Sequence, residues 1–173
     1  IVAAFFLQGF IIFSQSYVSI TKSFFMKPVL VALFALVLFS CNSKKAAFNF
    51  SEEIVAKEKS LTADIAMTED KVKQFFGEDK MDSMAAVADR MVNKVQDKIN
   101  EIQDMKTPDA KGAAGFKEAA LSYFKFIRSV YVSYKDVALA KTDEARNQLV
   151  EAMQENLKKK DAVIESMQKE QRS

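Results

Sequence analysis

The chain of 173 residues contains no histidine and no tryptophan, and it has a single cysteine. Without histidine, the commonest general base and the commonest metal ligand are missing. The usual di-metal carboxylate site needs Glu-x-x-His pairs, and covalent haem attachment needs Cys-x-x-Cys-His, so both are excluded. A disulfide within the chain is impossible because it needs two cysteines. The sequence therefore predicts no resident metal and no cofactor.

Glycine is also scarce, with four residues, and none of them begins a phosphate-binding loop. The segment Gly112-Ala113-Ala114-Gly115 is not followed by the Lys-Ser or Lys-Thr that a P-loop requires. The Gly-x-Ser-x-Gly turn that presents a nucleophilic serine is absent as well. Because the usual catalytic motifs are missing, the sequence predicts a protein that is not an enzyme.

Charge is distributed unevenly along the chain. The 25 basic residues include Lys22 and Lys27, the only charged residues before Cys41, which leaves 23 to balance the 23 acidic residues that begin at Glu52. The part after Cys41 is therefore formally neutral and has no basic field to attract a polyanion. Nucleic acid is not expected as a partner.

The segment before Cys41 has the order of a secretory signal peptide. Met26-Lys27 supplies a positive start, residues 29–39 form an uncharged apolar run, and Ser40 is a small residue before the cysteine. The apolar run is shorter than the about 20 residues that a membrane-spanning helix needs. We therefore predict a signal peptide at 26–40, cleaved between Ser40 and Cys41.

The motif Leu38-Phe39-Ser40-Cys41 resembles the lipobox of bacterial lipoproteins, although Phe39 is bulkier than the small residue usual at that position. The resemblance implies that the Cys41 thiol receives a diacylglycerol and that the new amino group is acylated. Two or more acyl chains hold a protein stably on a membrane. Because Asn42 is not an aspartate and Lys44-Lys45 replace an acidic cluster, the resemblance points to the outer membrane facing the periplasm, with surface exposure as the alternative.

The predicted signal peptide is flanked by two further segments. Residues 1–25 are apolar but interrupted by Gln8 and by Ser14-Gln15-Ser16. We interpret them as an upstream extension that precedes a translation start at Met26, and an uncleaved membrane helix is the alternative. Residues 41–50 are predicted to form a lipidated polar tether.

The region 51–173 is predicted to be all-α, an antiparallel up-down-up-down four-helix bundle. After Cys41 the chain has one proline and three glycines, and helix-forming Ala, Glu, Lys, Met and Gln abound. A long three-helix coil or a helix-exchanged dimer is the alternative. The expected helices run from an N-cap at Ser51 to a C-terminal glycine at Gly77, over 79–106, from Thr107-Pro108 or after Gly115, and from an N-cap at Thr142.

Apolar residues at three- and four-residue spacing mark the predicted core face of each helix. Glu58, Thr68 and Lys160 fall in register with these seams. Glu58 and Lys160 either pair with each other or reach water at the open ends of the bundle. The four seams are Ile54, Leu61, Ile65, Val72 and Phe75; Met84, Ala88, Met91, Val92, Val95, Ile99, Ile102 and Met105; Phe116, Ala120, Tyr123, Phe124, Ile127, Val130, Tyr131, Tyr134, Val137 and Ala138; and Val150, Met153, Leu157, Ile164 and Met167.

Three surface or core features have two interpretations each. Met81, Met84 and Met91 share a helix face that suits Cu(I), but the same spacing is that of gap-filling core residues, which we prefer. Phe126 lies off the main stripe of helix three and is expected to be an isolated exposed residue rather than a binding anchor. Lys158–Lys160 are expected to solvate a helix face rather than bind anionic lipid.

These patterns favour a non-enzymatic envelope lipoprotein whose helical surface binds another envelope protein or stabilises an envelope assembly. The alternative function is a periplasmic carrier or sensor that holds an apolar ligand or a metal within the bundle core, around Met91, Tyr123 and Tyr131. An interior cavity lined by the aromatic residues of helix three would favour the carrier. A tight core with an exposed apolar patch would favour the binding module.

Overall fold

The computed structural model describes residues 34–172, with side chains from Ser43 onward, and the regular secondary structure in this range is entirely α-helical. This confirms that the fold is all-α, as predicted. Residues from Leu38 onward form one compact unit. The predictions for residues 1–25 and for the signal peptide as far as residue 33 lie outside the described residues. The helices are α1 (Phe34–Gly77), α2 (Met81–Asp104), α3 (Ala113–Leu139), α4 (Asp143–Leu157) and α5 (Lys160–Arg172).

The first helix is longer than predicted. The α1 helix runs without interruption from Phe34 through Cys41 to Gly77, so Ser51 is an interior helical residue and the predicted N-cap is wrong. The segment 42–50 has no proline or glycine and contains Lys44, Lys45 and two alanines, which are all good helix formers. Its propensity explains why the segment predicted as a tether continues the helix.

Helix α1 ends at Gly77, as predicted, but the left-handed residue that closes its C-terminus is Asp79 and not the glycine. Asp79 has a left-handed backbone with φ of 55°. The amide of Lys80 donates to the carbonyl of Phe75 at 2.8 Å, and the amide of Asp79 donates to that of Phe76 at 3.3 Å. This pair of bonds is the Schellman motif, which leaves Gly77 as the last helical residue, two positions before the left-handed one.

We expect Gly77→Ala and Asp79→Gly each to stabilise the fold. Open space surrounds the position of a Cβ at Gly77, and alanine exceeds glycine in helix propensity by up to about 1 kcal/mol. Glycine at position 79 removes the cost of a left-handed conformation, roughly 1 kcal/mol before the greater flexibility of the unfolded chain is subtracted. Urea titrations followed by circular dichroism measure both. Destabilisation by Gly77→Ala would show that the left-handed residue is Gly77 after all.

The connection from α2 to α3 differs from both predicted starts of helix three. Helix α3 begins at Ala113, after Gly112 with φ of 80°, rather than at Thr107-Pro108 or beyond Gly115. The Lys117 side chain donates to the carbonyls of Gln103 at 2.8 Å and Met105 at 2.6 Å. A lysine of α3 therefore satisfies carbonyls at the end of α2, a contact that local sequence does not reveal.

The fourth predicted helix is present as two helices. The hydroxyl of Thr142 accepts from the amide of Ala145 at 3.1 Å, which confirms the predicted N-cap. The helix is interrupted at Lys158-Lys159, where the amide of Lys159 donates to the carbonyl of Asn156 in a tighter turn. The interruption lies just before Lys160, the cation in the apolar seam. Helices α4 and α5 bury one side chain each, Met153 and Met167.

The core is formed mainly by α1, α2 and α3. Most of the predicted seam residues are buried, and the largest fully buried side chains are Phe124, Ile54, Met84, Met91 and Ile102. Thr68 is also buried, as its register predicts. The predicted core residues that the structure leaves half-buried or exposed are Ile65, Phe75, Met105, Ile127, Val130, Val150, Ile164 and Leu157. Three of these, Val150, Leu157 and Ile164, belong to the fourth segment, whose two helices bury only one side chain each.

Within residues 34–172, no helix has the length and apolarity that crossing a bilayer requires.

Candidate functional site

The predicted lipid-attachment residue lies within α1. The backbone of Ser40 and Cys41 is helical, and both side chains lie outside the described residues. The predicted cleavage and lipid attachment therefore stay predictions.

The half-buried Glu58 of α1 bonds to a tyrosine of α3. Its carboxylate accepts a hydrogen bond from the Tyr123 hydroxyl at 2.9 Å. Burial and then the charge of Glu58 raise the pKa of Tyr123, so this hydroxyl keeps its proton and remains a donor. Both interpretations of Glu58, pairing with Lys160 and reaching water at an open end, missed this hydrogen bond. The apolar spacing of α3 predicts Tyr123 as a core residue, and the need of a buried hydroxyl for a hydrogen-bond partner is the signal that could have indicated a polar residue opposite it.

A second carboxylate of α1 bonds to two tyrosines of α3. Glu69 accepts from the Tyr134 hydroxyl at 3.0 Å and also from Tyr131. Burial raises the pKa of Glu69, and the two tyrosine hydrogen bonds oppose that rise. The tyrosine rings pack edge to face with centroids 5.9 Å apart. These contacts hold α1 and α3 in one register.

We expect Glu69 to reduce stability as pH rises. Because its folded pKa is raised above the ordinary value of 4.5, the folded chain holds a proton that the unfolded chain has already lost. The loss of stability caused by ionising Glu69 is absent below pH 4.5 and grows as pH rises through the pKa that Glu69 has in the folded chain. Urea titrations across this range should show Glu69→Gln gaining stability relative to the unmutated protein as pH increases.

Glu78 offers a matched control with the opposite sign. Hydrogen bonds from Lys80 and Gln74 lower its pKa, so its contribution appears as pH rises towards 4.5 and is retained above it. Glu78→Gln should therefore lose stability relative to the unmutated protein over the acidic part of the same series. A Glu69→Gln difference that stays constant with pH would contradict the raised pKa.

An open groove lies between α1 and α2. The first part of this groove has a volume of about 100 Å³, and its apolar floor is formed by Met67, Val87 and Met91. Its rim carries Lys71 and Arg90, which are exposed and have no acidic partner among the described residues. Met67 is 49% exposed, one of the few large apolar side chains at the described surface.

The groove continues past an ion pair into a second part of about 300 Å³. Lys94 and Asp64 lie 2.6 Å apart and line both parts. The remaining lining residues of the second part are Ser60, Leu61, Asp97 and Lys98. The first part thus combines an adaptable methionine with two cations that have no acidic partner in the described part of the chain, whereas the second part also carries the exposed carboxylate of Asp97. The composition of the first part suits contact with an acidic protein surface.

The residues predicted for an internal ligand site occupy different places. Tyr123 and Tyr131 are buried and bond to carboxylates of α1, and neither lines the groove. Met91 lines the groove floor, although it is almost fully buried. The structure therefore does not bring these three residues together around the groove.

The remaining candidate residues have ordinary surroundings. Met84 and Met91 are core residues, and Met81 is half-buried. Phe126 is half-buried rather than exposed. Lys158 pairs with Glu155 on the surface of the fourth segment. Among the described residues, no group of three or more Cys, Asp and Glu side chains is placed to hold a metal ion.

The chain matches no protein-family model, no curated protein and no solved structure. Because a helical fold by itself does not specify a function, the function has to be inferred from the residues of these sites.

Proposed function

We propose that the protein is a non-enzymatic lipoprotein of the bacterial cell envelope, and that its helical domain binds another envelope protein. The observation that carries the proposal is the order of the leader, in which Met26-Lys27 and an apolar run end at Leu38-Phe39-Ser40-Cys41 on the only cysteine. The neutral charge after Cys41 and the absence of histidine agree with a binding role and not with catalysis or nucleic-acid recognition.

We place the lipidated N-terminus on the outer membrane, with the domain facing the periplasm. Asn42 provides no aspartate after the modified cysteine, and Lys44-Lys45 provide no acidic export signal. Triacylation of Cys41 would attach the chain stably, at about 0.8 kcal/mol for each buried methylene group.

The described helices are proposed to follow an up-down-up-down course, with α4 and α5 together as the fourth member. Between α1 and α2, and again between α2 and α3, residues that come later in one helix contact residues that come earlier in the other. This order supports antiparallel neighbours. The supporting pairs are Lys57–Glu101 and Asp64–Lys94, then Asp89–Lys135 and Gln103–Lys117, and finally Ser129–Asn156 between α3 and α4.

The partner surface is proposed to be the α1–α2 groove. Methionine adapts its shape to apolar side chains, and arginine is enriched among the residues that dominate binding energy. Met67 beside Lys71 and Arg90 therefore fits a partner that presents an apolar side chain flanked by acidic residues. Rim charges of this kind mainly raise the association rate and decrease in effect with salt.

Intact mass spectrometry of the membrane-extracted protein tests the anchor. We expect a chain that begins at Cys41 and carries acyl groups, and we expect Cys41→Ala to lose both the added mass and retention in the membrane fraction. A chain that keeps Met26 or Ile1 with an unmodified thiol would refute the lipoprotein proposal and leave an uncleaved N-terminal membrane segment as the anchor.

A photo-crosslinking amino acid placed at Met67 in living cells tests the partner surface. Leu139, which is 45% exposed on α3, is a matched control for the 49% exposure of Met67. We expect a discrete crosslinked protein from position 67 only, lost when Arg90→Glu reverses a rim charge. Equal adducts from both positions, or an adduct unaffected by Arg90→Glu, would exclude the groove as the binding surface.

A further inference from the structure

The first turns of α1 after Cys41 carry two cations and one exposed aromatic side chain. Lys44, Lys45 and Phe48 are all exposed, and the 64% exposure of Phe48 is the largest among the large apolar side chains that the structure describes. In a helix, residues three, four and seven positions apart lie on one face. Residues 41, 44, 45 and 48 have this spacing, so the anchoring position shares a face with the cations and the aromatic residue.

This face lies at the margin of the packed domain. Among the side chains described from Ser43 onward, Phe50 is the first that is buried, and its ring packs edge to face on Phe116 at a centroid distance of 6.5 Å. One position later, the Ser51 hydroxyl accepts a hydrogen bond from Gln171 of α5 at 3.2 Å. The turns that precede these contacts therefore extend from the end of the domain at which α3 begins and α5 ends.

Charge in this segment has one sign. Between Asn42 and Ser51 the only charged residues are Lys44 and Lys45, and the first acidic residue of the whole chain is Glu52. Cations near an anionic lipid surface are attracted to it, and aromatic residues are enriched at the level of the headgroups. The rise of seven positions from Cys41 to Phe48 spans about 10 Å of helix, which keeps Phe48 near the headgroups of an anchored chain.

We propose that the face formed by Lys44, Lys45 and Phe48, here named the juxtamembrane face, contacts the anionic headgroups of the membrane that holds Cys41. This inference rests on the proposed lipid anchor. Because α1 continues unbroken from this segment into the core, such contact fixes the direction of the whole helix relative to the membrane and not only its distance. The domain is then held with the Phe116 end of α3 towards the lipid.

The absence of tryptophan from the chain provides a clean test. The mature, acylated Phe48→Trp chain is reconstituted into vesicles of phosphatidylcholine, with or without phosphatidylglycerol, in which the acyl chains are brominated to quench nearby tryptophan. Leu139→Trp is the matched control because it is also exposed and lies roughly 35 Å along α3 from Phe116. We expect blue-shifted, quenched emission from position 48 on the anionic vesicles and unquenched emission from position 139.

Lys44→Glu with Lys45→Glu in the Phe48→Trp background tests the role of charge. We expect this variant to lose the quenching on anionic vesicles while its circular dichroism and its acylation stay unchanged. Quenching that is equal in the two lipid compositions, or that survives the charge reversal, would overturn recognition of anionic headgroups. Quenching at both positions 48 and 139 would also overturn the proposal, since the domain would then lie along the membrane.

The mass of the same preparation separates the two proposals. An acylated Cys41 with unquenched Phe48→Trp emission overturns the juxtamembrane face and leaves the lipoprotein proposal standing. An unmodified Cys41 overturns both, because the face is proposed to act beside the anchor.

Discussion

Phe124→Ala should destabilise the domain by about 3–5 kcal/mol, the largest loss that we expect from a single substitution. Phe124 is fully buried and packs edge to face on Tyr123 with ring centroids 5.7 Å apart. Truncation removes the buried ring, the aromatic contact and the packing around both, and leaves a cavity that rigid helices fill only partly. For a domain of this size the melting temperature should fall by roughly 10–20 °C.

Phe48→Ala is the matched control for Phe124→Ala. The same atoms are removed from a side chain that is 64% exposed, so the free energy of unfolding in solution should change by no more than about 0.5 kcal/mol. Thermal unfolding followed by circular dichroism compares the two. Similar losses at both positions would show that Phe124 is not the centre of the core.

Glu69→Leu should produce the second large effect, because Glu69 accepts hydrogen bonds from two buried tyrosines. A buried hydrogen-bond donor that loses its acceptor lowers the free energy of unfolding by about 1–3 kcal/mol. The hydroxyls of Tyr131 and Tyr134 would both lose the Glu69 carboxylate as their acceptor. The free energy of unfolding should be measured below pH 4.5. There the raised pKa keeps Glu69 protonated, so a buried charge does not destabilise the unmutated protein. Urea titration at that pH should show a loss of roughly 2–4 kcal/mol.

Removing the donors as well should restore most of that stability. When both partners of a buried hydrogen bond are replaced by apolar groups of similar shape, the net cost is small. Glu69→Leu combined with Tyr131→Phe and Tyr134→Phe should therefore be more stable than Glu69→Leu alone. A triple variant that is the least stable of the series would show that the hydroxyls have other partners of greater importance.

Glu69 and Glu58 also show how a helical register becomes unique. Apolar stripes alone allow helices to slide by a turn with little loss of buried area, whereas a carboxylate must meet a particular hydroxyl. Glu58–Tyr123 and Glu69–Tyr134 are 11 residues apart on both helices, so the same displacement satisfies both pairs. The two contacts together resist a shift of α1 along α3.

The sequence by itself determined the helical class, the positions of most core residues in α2 and α3, and the Thr142 cap. Each of these depends on interactions within about one helical turn, or on a repeat of 3.6 residues that any buried helix face must have. The leader and Cys41 are likewise defined by local order, and their processing remains a prediction. The position of Thr68 in the repeat of apolar residues also predicted correctly that its side chain is buried in the core.

Only the tertiary structure decided the start of α3, the residue that closes α1 and the partners of the polar residues. Asp79 rather than Gly77 adopts the left-handed conformation because the Schellman bonds form two residues later than the nearest glycine suggests. Lys117 reaches the end of α2, and Glu58 reaches Tyr123 across 65 positions of sequence. Such contacts depend on which helices become neighbours, and a repeat along one helix contains no information about the residue that faces it.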